Sequence, residues 1–369
     1  MNPPRVILGV GLGMLILIGE PGIAMVSNES AAEPPNPAEV VQQHRLMKTL
    51  ASLPTKRAAL GDQEDQAGLK ATQQLILDEL RGMGLAPRLH EFRWSIPARN
   101  WPRPGQGEPQ NPAADAAQAE VEATTWNNII VDLPGADLPR EVLLLGAHFD
   151  AVVGTPGADD NGTGVAALLE LARVLNGLPT RRTIRLVFFN LEEVGLVGAD
   201  RYVDAFVAEQ KAKPENQQET IIGMVSLEML GYFSDEPNSQ KSPIPAIPGV
   251  FEPPTIGDSI AVVGIARHQA FSGRLSGAML AAAPGLKVTR VDFLPAPIPD
   301  MLRSDHTPFL MAGLPAVMLT DTSNFRNPHY HAATDTVETI DAARFTLVVQ
   351  GLGGASAAIA EPVKRGEGP

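Results

Sequence analysis

Four apolar runs in this sequence end in imidazole or carboxylate side chains. Residues 142–147 lead into His148-Phe149-Asp150, and residues 184–189 lead into Asn190-Leu191-Glu192-Glu193. Residues 221–226 lead into Leu227-Glu228, and residues 316–320 precede a loop holding His329, Tyr330 and His331. A fifth segment, residues 157–164 (GADDNGTG), lies between the first run and a helical stretch. Its glycines permit a tight turn, and its acids sit where a helix N-terminus favours anions. Imidazole plus carboxylate without thiolate is a donor set for zinc or a similar divalent ion. Two His and three carboxylates exceed what one tetrahedral ion needs and suffice for two ions that share a carboxylate. In Glu192-Glu193 one side chain can ligate while the other acts as general base toward an attacking water. In His148-x-Asp150 one residue can ligate while the other orients the ring.

Such residues converge only if the runs are neighbouring strands. In an open α/β sheet the ligand crevice lies at the carboxyl ends of the strands. Short apolar runs at 128–133, 141–147, 183–189, 221–227, 259–264, 286–291 and 316–320 alternate with helical stretches such as 164–175 and 269–283. This pattern predicts an α/β three-layer sandwich around a mixed, largely parallel sheet. Helices are also expected at 38–53 and 66–83. In the second, Leu69, Leu75, Ile76, Leu80 and Met83 fall at helical spacing, and Gly84 marks its end. Residues 85–94 read as a strand. The segments near 97–124 and 233–258 read as insertions.

Composition narrows the class further. The 369 residues include no cysteine, so disulfides, thiolate metal sites and a cysteine nucleophile are excluded. With 29 Lys+Arg against 42 Asp+Glu the net charge is −13, which argues against a nucleic-acid or polybasic membrane partner. At 44% apolar residues the chain can bury a large core. Residues 6–19 form a charge-free apolar run after Arg5, so residues 1–27 read as a signal peptide or an uncleaved anchor. Residues 28–37 read as a Pro-rich linker, and 38–369 as one domain of an exported, periplasmic or secreted, protein. Beyond that anchor no membrane contact is expected. Serine-hydrolase chemistry is excluded by the lack of a Gly-x-Ser-x-Gly elbow. Ser304-Asp305-His306 is contiguous and ill suited to a triad. His306 is a candidate for either substrate contact or a structural role.

In chain order, His148-Phe-Asp150, the GADDNGTG segment, Glu192-Glu193-Val-Gly-Leu-Val-Gly, Leu-Glu228-Met-Leu-Gly and Tyr330-His331-x-x-x-Asp335-Thr form a five-part signature. It resembles the zinc-dependent exopeptidases that include bacterial leucyl aminopeptidases, aminopeptidase Y and glutamate carboxypeptidase, over roughly residues 38 to 360. The resemblance implies the zinc-exopeptidase (phosphorylase/hydrolase-like) fold and two zinc ions. One would be held by His148 and Glu228, the other by Glu193 and His331, with Asp160 between them. It implies Glu192 as general base, Tyr330 as a donor to the oxyanion, Asp150 behind His148 and Asp335 near His331. Many aminopeptidases of this type carry Asp where this chain has Glu228. The expected activity is removal of a terminal residue from a peptide substrate, most simply the N-terminal one. The alternatives are a carboxypeptidase-type member, a single-zinc glutaminyl cyclase-like aminoacyltransferase, and a non-catalytic binding ectodomain.

Overall fold

The computed structural model describes residues 36–95 and 124–363. The expected signal segment, most of the linker and the insertion up to residue 123 lie outside the described residues. The strands are β1 (Arg88–Trp94), β2 (Thr124–Leu133), β3 (Leu138–His148), β4 (Arg182–Phe189), β5 (Thr220–Glu228), β6 (Ile260–Val263), β7 (Val288–Val291) and β8 (Ala316–Thr320). They form one eight-stranded sheet in the order β1-β2-β4-β3-β5-β8-β6-β7. The centre, β4-β3-β5-β8, is parallel, while β1 with β2, β2 with β4 and β6 with β8 pair antiparallel. The sheet is therefore mixed with a parallel core, as the alternating runs predict.

Period-two alternation divides the strand side chains between two helical layers. Leu143 and Leu145 of β3, with Ile184, Leu186 and Phe188 of β4, face one core. That core is completed by α2 (Gln43–Ser52), α3 (Gln63–Gly82), α4 (Gly164–Leu175), α6 (Gln269–Ala282) and α8 (Ala342–Ala360). Leu144 of β3 and Val187 and Phe189 of β4 face the other core, against Tyr202 and Phe206 of α5 (Val197–Ala212) and Phe309 of α7 (His306–Met311). These are the three layers of the expected sandwich. The helix α8 is long and apolar enough to cross a membrane, but its apolar stretch is 67% buried, which makes it a core helix.

The predicted helix at 38–53 is two helices, a short α1 (Pro37–Val40) followed by α2. The chain breaks because the Gln42 N–H donates to buried Glu170 (3.0 Å) rather than to a helical carbonyl. The start of α3 lies three residues ahead of the periodic stretch. There Asp62 makes a capping box with Asp65, a polar signal that an apolar period does not register.

The topology places a crevice. From β3 the chain crosses to β4 on one side, and β5 then lies on the other side of β3. Strand order reverses at β3, and a ligand crevice opens beyond the carboxyl ends at such a switch point.

Candidate metal and catalytic site

His148 is the last residue of β3, and Glu228 is the last residue of β5. Glu192 and Glu193 follow β4 by three and four residues. Tyr330 and His331 lie in the loop after β8. Asp160 belongs to the kinked segment Ala158–Thr163 that feeds α4; its backbone and that of Asn161 are not helical, and the peptide bond between them is cis. Asn161 fixes this segment against the end of β5. Its Nδ2 donates to Leu227 O (2.7 Å), and its Oδ1 accepts from the N–H groups of Gly164 (3.1 Å) and Met229 (3.3 Å). Close approach requires glycine at 164, where a Cβ would lie 2.8 Å from Leu227 O. Three non-glycine residues beside or within the site, Leu191, Met229 and His331, have φ of 62°, 51° and 53°. Left-handed backbone of this kind costs about 1–2 kcal/mol per residue, and of these three His331 is itself a candidate ligand.

The five candidate ligands converge. Asp160 Oδ1 lies 3.3 Å from His148 Nε2, and its Oδ2 lies 3.2 Å from His331 Nε2. His148 Nε2 is 3.5 Å from Glu228 Oε2, and His331 Nε2 is 3.4 Å from Glu193 Oε2. Single donor atoms of His148, Asp160 and Glu193 all fall within 4.8 Å of one another, as do those of His148, Glu192 and Glu228. His148 Nε2 and Glu193 Oε1 are buried without a hydrogen-bond partner among the described residues. Buried polar atoms are rarely left unpaired, and these two face a cluster of metal-type donors. The residues present therefore fit divalent ions.

The electrostatics agree. Burial pushes Glu192 well up, with Glu193, Glu228 and Asp305 adding to the effect against the pull of His148. Burial also raises Glu193, to about 7, with Asp160 adding to it. Burial works against charge on His331, yet Asp160 and Glu193 lift it to about 10. His148 is likewise lifted well above its ordinary value, by Glu192 and Glu228 against its burial. The cluster is an excess of buried negative charge that calls for cations, and without metal the imidazoles take that part.

Two supporting roles differ from the sequence reading. Asp150 stands behind His148, but its backbone carbonyl (3.2 Å from Nδ1) is nearer than its carboxylate (3.6 Å). That carboxylate instead accepts the N–H groups of Glu192 (3.0 Å) and Glu193 (3.1 Å), and so fixes the carboxylate pair. Asp335 does not serve His331. It accepts the N–H groups of Asp159 (2.9 Å) and Asp160 (3.1 Å) and holds the bridging segment. Burial, with Asp159 nearby, raises its carboxyl to about 7.

His306 is fully buried at the start of α7, with its Nε2 2.8 Å from Met301 O. Burial lowers its pKa to about 4, so it stays neutral. It is a core histidine rather than a substrate contact. Its neighbours, read only as a failed triad, are site residues. Ser304 donates to Glu228 Oε2 (2.8 Å), and Asp305 is fully buried among the acids with neither oxygen hydrogen-bonded among the described residues. Arg303 donates to Tyr330 Oη (2.7 Å) and to Asn324 Oδ1 (2.9 Å). The Tyr330 ring stacks on His331 with centroids 3.8 Å apart. The contiguous Arg303-Ser304-Asp305-His306 was the available signal; what the spacing lacks is the fold-back that sets it beside β5.

A cleft open to solvent adjoins Glu228 and Tyr330. Ile244, Phe251, Ala261, Val263, Met301 and Met318 give it an apolar wall. Part of that wall comes from the irregular stretch between β5 and β6, the region of the second expected insertion.

A three-layer α/β sandwich with imidazoles and carboxylates at its switch point defines a metallohydrolase scaffold. Residues 128–352 match Peptidase family M28, and the chain belongs to that family. It is 35% identical over 236 residues to YfbL of Escherichia coli K12, covering 62% of this chain and 69% of YfbL. It is 38% identical over 95 residues to the aminopeptidase YwaD of Bacillus subtilis, 26% of this chain and 21% of YwaD. The fold superposes on BSAP, a zinc aminopeptidase from Bacillus subtilis, with a TM-score of 0.60 at 17% identity, over 92% of this chain and 98% of that one.

Proposed function

We propose that this M28 peptidase is an exported di-zinc aminopeptidase. The observation that carries the reading is Asp160 set between two imidazoles, each with a carboxylate of its own. His148 and Glu228 would hold one zinc, Glu193 and His331 the other, and Asp160 would be shared. Bound zinc ions would polarise the scissile carbonyl and make water acidic enough to attack.

The protein's own groups do the rest. Glu192, buried and with its pKa raised, takes the proton from the attacking water and returns it to the leaving amine. Asp150 fixes Glu192 through its backbone N–H. The Tyr330 hydroxyl accepts from Arg303, which leaves its own proton free for the developing oxyanion. Burial, reinforced by Asp160, raises the Tyr330 pKa and keeps that proton in place.

The choice of the amino end rests on the likeness to the aminopeptidase YwaD, 38% identical over 95 residues. The apolar cleft then takes the side chain of the terminal residue. Burying a leucine side chain contributes about 1.5–3 kcal/mol, or roughly a 10- to 100-fold preference in kcat/KM. Export rests on the apolar run at residues 6–19. The partner of the site is a peptide.

A substrate panel tests the reading. Leucyl-4-nitroanilide should be hydrolysed at least 10-fold more efficiently than glutamyl-4-nitroanilide, an estimate from the burial energy above. N-acetylated, C-terminally free dipeptides should not turn over. Preference for the blocked dipeptides would instead make the chain a carboxypeptidase.

A further inference from the structure

Arg57 lies far from the signature in sequence, outside the residues that match the family, yet it is 1% exposed beneath the site. Its guanidinium donates to four backbone carbonyls. Nε reaches Phe149 O (3.1 Å), and Nη1 reaches Pro54 O (3.0 Å) and Pro156 O (2.6 Å). Nη2 bonds Gly157 O. The Arg57 carbonyl in turn accepts the Ala151 N–H (3.3 Å). These bonds close the loop 149–157 from both ends. One end carries His148 and Asp150, and the other opens into the segment that carries Asp160.

Among the described residues, the guanidinium's hydrogen-bond partners are all backbone carbonyls and none is a carboxylate. Burying a cation on neutral acceptors alone costs several kcal/mol. Burial is the largest influence on Arg57 and lowers its pKa, while Asp335, Asp160, Asp150 and Glu193, in that order, act by charge across longer distances and offset part of it. Packing around the clamp leaves little slack. Gly157 has φ +63°, and a Cβ there would lie 2.5 Å from Asp160 O and 2.7 Å from Arg57 Nη2.

We propose that Arg57 is a positioning residue for the metal site, whose planar fork sets the spacing between His148 and Asp160. This rests on the ligand assignment above. The ammonium of lysine preserves the charge but is a single point, and it cannot span carbonyls from three stretches of chain. Residues that orient ligands from behind typically change metal affinity 10- to 100-fold when replaced.

The test uses Arg57→Lys and Arg57→Met in the full chain. Zinc affinity is measured by competition with a chromophoric chelator, and melting temperature with and without zinc. Zinc should bind roughly 10- to 100-fold more weakly in Arg57→Met, with Arg57→Lys recovering less than half of the loss on a logarithmic scale. The zinc-induced rise in melting temperature should shrink in both variants. Any activity loss should fall on kcat rather than KM, because Arg57 does not reach substrate. If Arg57→Met does not fold, Arg57→Lys decides the matter. Wild-type zinc affinity in a folded variant, or equal lowering of both melting temperatures, overturns the proposal. If the wild-type protein itself bound no zinc, the ligand assignment would fail first.

Discussion

Glu192→Gln is expected to keep the fold and bound metal while lowering kcat by about 10³- to 10⁴-fold, the upper part of the range for a positioned general base. Glutamine has nearly the same shape and can still be held through the Glu192 N–H bond to Asp150, which involves only the backbone. What it lacks is a basic oxygen. The assigned ligands are untouched, so zinc content should match the wild type. KM should change little, because the apolar cleft is lined by other residues. Steady-state kinetics with metal analysis of the same preparation checks this. Unchanged turnover would remove Glu192 from the base role, and loss of zinc would make it a ligand.

Asp160→Asn should have a still larger effect. Each carboxylate oxygen of Asp160 faces a different imidazole, at 3.3 and 3.2 Å. Burial works against its charge, but the two histidines hold its carboxyl well below the ordinary range. Asparagine removes the charge and leaves one oxygen, so both metal positions are damaged by one change. A misplacement of about 1 Å can cost roughly 10²-fold. Two positions lost together therefore predict a fall of about 10⁴-fold or more, with zinc content below one per chain. Retention of two zinc ions would show that Asp160 does not bridge.

Much of this arrangement was legible in the sequence because burial and chemistry alternate along it. The apolar runs ending at His148 and Glu228 are β3 and β5, and the predicted helix 164–175 is α4. A strand buried on both faces must be a continuous apolar run, so the first polar residue after it marks the crevice edge. The residues that hold the site in place were less legible. Asp335 acts on backbone N–H groups about 175 residues away in sequence, and Arg57 on carbonyls about 95 residues away. Backbone partners carry no residue signature, so nothing in the spacing reports them. The sequence leaves His306 open between substrate contact and a structural role, because a histidine beside acids suits either. Whether such a ring faces the cleft or the core depends on the turn into α7, which here points it at Met301 O. Ser304 and Asp305 carry little sequence signal because three adjacent residues cannot form a triad, although two of them can serve a site built by others.

The central claim is a pair of zinc ions acting on the amino end of a peptide. The most direct measurement is a zinc titration of the metal-free protein, followed by hydrolysis of leucyl-4-nitroanilide. Activity should rise until two zinc ions are bound per chain and then level off. Full activity at one zinc per chain, or no hydrolysis at any zinc content, would contradict the claim.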